Sequence, residues 1–119
     1  MSTTVRQRLS AALTPAMKAR DRVAVAAIRS ALAAVSNAEA VPVDTVPSAG
    51  AIETAALGAG AADAPRRELT EDDVLAIVAL EVVDRDRAAA EMTGHGHHEE
   101  AQRLTAEADV LRAVLADGA

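Results

Sequence analysis

Six basic side chains stand within the first 29 positions, at Arg6, Arg8, Lys18, Arg20, Arg22 and Arg29, against one acid, Asp21. Cations at this density suit phosphate: a guanidinium binds two oxygens at once, and displaced counterions supply the affinity. The chain has no Phe, Tyr or Trp, so no such ring is available for bases to stack on beside these cations. Any nucleic-acid contact would therefore be with backbone and shape. The alternative reading of the same residues is a solvated helical face. Residues 1–39 carry six basic and two acidic groups, giving +4, and residues 40–119 carry six basic and sixteen acidic groups, giving −10; the two sum to the net −6. The basic end can present itself to an anion, or the two halves can attract each other within the fold.

The other candidate chemistry is weaker. His95, His97, His98, Glu99 and Glu100 have the donor types for zinc or nickel but the spacing of no well-specified site, and they read as an exposed helix connection. Glu71, Asp72 and Asp73 sit together as a helix cap would, whereas acid–base catalysis uses two carboxylates across a cleft. Ser30, Ser36, Thr93 and Thr105 have no histidine in their local pattern. Gly58-Ala59-Gly60 follows no strand, and no Walker-type lysine is present, so no nucleotide or cofactor fingerprint is found. The chain has no cysteine, which excludes disulfides and thiolate metal sites. The expectation is no catalytic residue, no metal and no cofactor.

The elements that must hold the basic residues are helices. Alanine supplies 31 residues, half of all residues are apolar, and alanine is the strongest helix former. The large core side chains are Leu, Val, Ile and Met, so the core is modest. Ser2, Thr3 or Thr4 caps a first helix of about 3–19, striped by Val5, Leu9, Leu13 and Met17. Pro15 either kinks it or splits it, and the stripe continuing to Met17 favours a kink. Asp21 caps a second helix of about 22–38, with Val25, Ile28, Leu32 and Val35 as its stripe and Ala24 and Ala31 beside it.

Residues 40–67 hold three prolines and three glycines and no sustained period, reading as a long flexible loop with at most one helical turn at Ala51–Leu57. Thr70 with Asp73 opens a third helix of about 71–92. Its apolar residues Val74, Leu75, Ile77, Val78, Leu80, Val82 and Val83 cover most of its circumference and predict the most buried helix. Asp84, Arg85, Asp86 and Arg87 follow, alternating in sign, and Ala88–Met92 extends the helix into solvent. Gly94-His95-Gly96 breaks the chain before a fourth helix of about 97–116, striped by Leu104, Ala108, Leu111 and Leu115. The prediction is an all-α protein: a small four-helix bundle of two helical hairpins in one domain, 1–119. No signal peptide or apolar run of about 20 residues is read, so the expectation is a cytoplasmic protein without a membrane anchor.

Ala16-Met17-Lys18-Ala19-Arg20-Asp21, followed after six residues by Ile28-Arg29, resembles the AMKA(K/R)D…(I/L)R signature of the GatB/YqeY family. Leu69-Thr70-Glu71-Asp72-Asp73-Val74-Leu75 is similar to that family's LTDEEVL helix start. Arg85–Met92, Glu99-Glu100-Ala101 and Glu107–Leu115 resemble its charged helix, glycine break and final helix. The resemblance spans about residues 3–115. It implies a helical subdomain related to the tail of the B subunit of the tRNA-dependent amidotransferase, where the module contacts tRNA and catalysis occurs elsewhere. It thus implies a non-catalytic accessory module with tRNA or another RNA as partner. The alternative is a module docking on a protein. Amidotransferase-type carbon–nitrogen ligase activity, with glutamine as amido donor, attaches only through the family label. The chain departs from the family in its longer 40–67 loop and in ending with Leu115-Ala116-Asp117-Gly118-Ala119, where a tyrosine-leucine-proline exit to a second subdomain is usual.

Overall fold

The computed structural model describes residues 3–40 and 67–117. Four helices account for the fold: α1 (Val5–Lys18), α2 (Arg22–Ala40), α3 (Glu71–Gly94) and α4 (His98–Ala116). α1 pairs with α2 and α3 pairs with α4; α2 also lies against both helices of the second hairpin. The expected all-α bundle of two hairpins is present. The loop between them, with the turn expected at Ala51–Leu57, falls on 41–66, outside the described residues. Its two ends are tied where Arg67 N–H donates to the Glu39 carbonyl at 2.9 Å.

Local chemistry sets the helix starts. Of the three possible first caps, Thr4 is used: its hydroxyl accepts from Gln7 N–H, and the Gln7 side chain accepts from Thr4 N–H. Asp21 Oδ1 accepts from Ala24 N–H at 3.1 Å to open α2. Thr70 and Asp73 form the same reciprocal box at α3. The Thr70 N–H and hydroxyl both hold the Asp73 carboxyl below its ordinary value. Pro15 does not split α1, which runs through to Lys18. Proline lacks the N–H that would bond the Ala11 carbonyl, but both residues are exposed, so water can satisfy it.

The core gathers Val5 and Leu9 of α1, Ala27, Ile28, Ala31 and Val35 of α2, Val74 and Val78 of α3, and Ala108, Leu111 and Val114 of α4. Three expectations need correcting. α3 is not the most buried helix: Leu80 is 57% exposed and Val83 45%, because its neighbours cover one face only, whereas α2 buries five residues. Met17 is 49% exposed and does not pack the hairpin. α2 reaches the length and apolarity of a membrane span, contrary to the sequence expectation. Five of its residues, Ala24, Ala27, Ile28, Ala31 and Val35, are buried in the core shared by all four helices.

Candidate nucleic-acid interface

The six basic residues divide into two groups. Arg6 and Arg8 lie on the first turns of α1 and are engaged inside the fold. Arg6 Nη2 pairs with Glu39 Oε1 at 2.8 Å, and Arg8 Nε donates to the Val114 carbonyl at 3.0 Å. They do not join the others, since ten residues of helix separate Arg8 from Lys18, about 15 Å. Lys18, Arg20, Arg22 and Arg29 are exposed; the three arginines line one depression at the α1–α2 corner, and Lys18 ends α1 just before it. Among the described residues none of these four has an ion-pair partner, whereas Arg6, Arg85, Arg103 and Arg112 are all paired.

The corner is a Schellman turn. Asp21 N–H donates back to the Ala16 carbonyl at 3.0 Å and Arg20 N–H to the Met17 carbonyl at 3.1 Å. That geometry places Arg20 at φ 57°, the only non-glycine residue with positive φ among those described. The α3–α4 corner makes the same pair of bonds, His97 N–H to Met92 and Gly96 N–H to Thr93, with Gly96 at φ 80° in the equivalent place. An L side chain in this region costs about 1–2 kcal/mol. Arg20 therefore bears strain that a glycine would avoid, and side chains held against strain concentrate at functional sites. Arg20→Gly is expected to stabilise the fold by about 0.5–1 kcal/mol, the relieved strain exceeding glycine's extra entropy in the unfolded chain. A melting temperature higher by a few degrees checks this; a lower one refutes it.

Between the two helices at this corner lies an open depression of about 380 Å³ lined by Met17, Arg20, Arg22, Val25, Ala26 and Arg29. Its lining is mainly apolar and includes three arginines. Arg29 Nη2 rests 4.0 Å from Met17 Sδ. Asp21, the acid nearest in sequence, is committed to its cap bond with Ala24. The arrangement can hold anionic groups at the arginines while a flat or apolar surface covers the apolar lining.

The remaining candidates dissolve into structure. His95, His97, His98 and Glu99 are exposed at the α3–α4 corner, and Glu100 pairs with Arg103. That contact holds the Glu100 carboxyl below its ordinary value. Among the described residues no three His, Asp or Glu side chains are grouped to hold a metal. Glu71 Oε2 accepts from Val5 N–H at 2.9 Å, so it caps α1 across the bundle. Gly58–Gly60 lies outside the described residues.

A feature the charge pattern concealed is a polar chain through the middle of the bundle. Ser30 Oγ donates to Glu81 Oε1 at 2.8 Å. Arg85 Nη1 meets the same oxygen at 3.0 Å, and Arg85 Nε meets Glu107 Oε1 at 3.0 Å. Arg103 closes on Glu107 Oε2 at 2.5 Å. Arg85 has only 12% of its side chain exposed and Glu107 only 6%, and Ala89, within the Ala88–Met92 stretch expected in solvent, is buried. The signal was present in the sequence: Glu107 sits three residues after Leu104 and four before Leu111, inside an apolar stripe. Compared with family models, curated proteins and solved structures, the chain matches none.

Proposed function

We propose that this chain is a non-catalytic helical module that docks on the phosphate backbone of a folded RNA through Lys18, Arg20, Arg22 and Arg29. Transfer RNA is the class implied by the GatB/YqeY-like residues around Met17 and Arg20. The observation that carries the reading is the clustering of four exposed cations that have no acidic partner among the described residues. With no Phe, Tyr or Trp in the chain and its three histidines at the α3–α4 corner, the guanidiniums of Arg20, Arg22 and Arg29 are the groups at this corner able to stack on a base.

The test is fluorescence anisotropy with bulk tRNA across salt concentrations. About four phosphate contacts predict log K falling against log salt with a slope near −3. Arg20→Glu with Arg22→Glu is expected to weaken binding about 100-fold at about 50 mM salt and to flatten the slope by about 2. Arg6→Glu, away from the corner, is expected to leave the slope unchanged. Absence of binding at about 50 mM salt, where phosphate contacts are strongest, overturns the reading. A second reading, a protein-docking module, is favoured by one observation away from this corner, the exposed Leu80 and Val83 of α3.

A further inference from the structure

We propose that the outer face of α3 is a self-association surface, on which a second copy of this chain docks antiparallel to form a two-fold dimer. This is independent of the RNA reading. At 3.6 residues per turn, Asp72, Ala76, Ala79, Leu80, Val83 and Arg87 fall within an arc of about 100°. All six are exposed. The arc lies opposite the face that α3 buries with Val74, Val78, Val82 and Ala89. Leu80 at 57% and Val83 at 45% exposure form a contiguous patch on it rather than scattered surface residues.

The order of residues along the stripe selects the occupant. Turning one helix end over end about an axis between positions 79 and 80 sets Leu80 beside its own counterpart and Ala79 beside its own. Val83 then lies over the second copy's Ala76, large against small, and Arg87 stands opposite the second copy's Asp72. Every residue of the stripe thus finds a complement in the same stripe reversed, as a two-fold interface requires. Alanine at positions 76 and 79 lets the two backbones approach to about 8 Å. The stripe is about 22 Å long, at the small end of interface sizes, and each copy carries a net charge of −6 that opposes association. A dissociation constant of ~10–100 µM is expected.

Sedimentation velocity of the full chain from about 5 to 300 µM tests this, with the expected result a shift from monomer to dimer. Leu80→Glu, on an exposed position, should abolish the shift without altering the far-ultraviolet spectrum. Arg87→Asp should weaken the dimer about fivefold, and adding Asp72→Arg should restore it. Because the chain has no cysteine, single substitutions report the register. Ala79→Cys should cross-link under mild oxidation, its two Cα atoms lying about 5–6 Å apart across the axis. Ala90→Cys, displaced by about 30 Å from its counterpart, should not. A chain still monomeric at about 300 µM overturns the proposal, as does a dimer indifferent to Leu80→Glu. Equal cross-linking at positions 79 and 90, or failure of the charge swap to restore association, also overturns it.

Discussion

Replacing Arg85 by Met is expected to lower the stability of the fold by about 3 kcal/mol, although it stands in a run of alternating charges, Asp84-Arg85-Asp86-Arg87. The side chain spans from α3 to α4 and holds two carboxylates at once, Glu81 at 3.0 Å and Glu107 at 3.0 Å. Glu107 is 4% exposed as a residue, so its charge has little water to fall back on. When the guanidinium is removed, Glu107 keeps only Arg103, whose own side chain is 48% exposed, and Glu81 keeps the Ser30 hydroxyl. Removing one partner of a buried pair usually costs about 3–5 kcal/mol, and the surviving Arg103 contact puts the expectation at the lower end. Replacing both members, Arg85→Met with Glu107→Leu, should recover most of the loss, since an apolar pair of similar volume does not strand a charge. Urea midpoints of the two single variants and the double variant check the cycle. A loss below about 1 kcal/mol for Arg85→Met would show that the chain of contacts adds nothing in solution.

The fold was legible where the signal is local. A cap is settled by one side chain and the amide three residues ahead, so Thr70 with Asp73 and Asp21 with Ala24 could be read from the sequence. The glycine that turns α3 into α4 likewise announces itself through its backbone freedom at Gly96. What depends on distant partners was not legible. Val74–Val83 is apolar around most of its circumference, and nothing in that run says which face the other helices cover. The structure covers Val74, Val78 and Val82 and leaves Leu80 and Val83 in water. Met17 continues the stripe of Leu9 and Leu13 but stands at the open α1–α2 corner, 49% exposed, with the Arg29 guanidinium of α2 against its sulfur.

The candidate site divides in the same way. The six cations are equivalent in composition, yet Arg6 finds Glu39 and Arg8 finds the end of α4, each more than 30 positions away. Only the corner residues, fixed by a short turn, stayed together as read. Glu107 gave a signal that the apolar period alone overlooks: an acid placed inside a buried stripe requires a cation from another element, and Arg85 supplies it.

The core itself supports the second large effect. Leu111→Ala is expected to cost about 3–4 kcal/mol, in the middle of the usual range for such truncations. Leu111 is 0% exposed and belongs to the one cluster shared by all four helices. Among the described residues, only Leu9, Ile28, Leu111, Val5, Val35 and Val78 are large side chains with under 2% exposure. Much of the rest of that cluster is alanine, at positions 24, 27, 31 and 108. Alanine has no rotamer by which to swing into a vacated space, so the cavity can shrink only by moving whole helices. A small domain has a total stability of roughly 5–15 kcal/mol, so one such cavity removes a large share of it. Leu80→Ala is the matched control: the same atoms are deleted at a position 57% exposed, and the expected loss is under about 0.5 kcal/mol when measured at about 1 µM, below the concentration where copies associate. Urea unfolding checks both, and the slope should stay the same while the midpoint of Leu111→Ala falls. Equal losses at positions 80 and 111 would mean that the two faces of the bundle are not distinguished in solution, and the packing described for α3 and α4 would have to be abandoned.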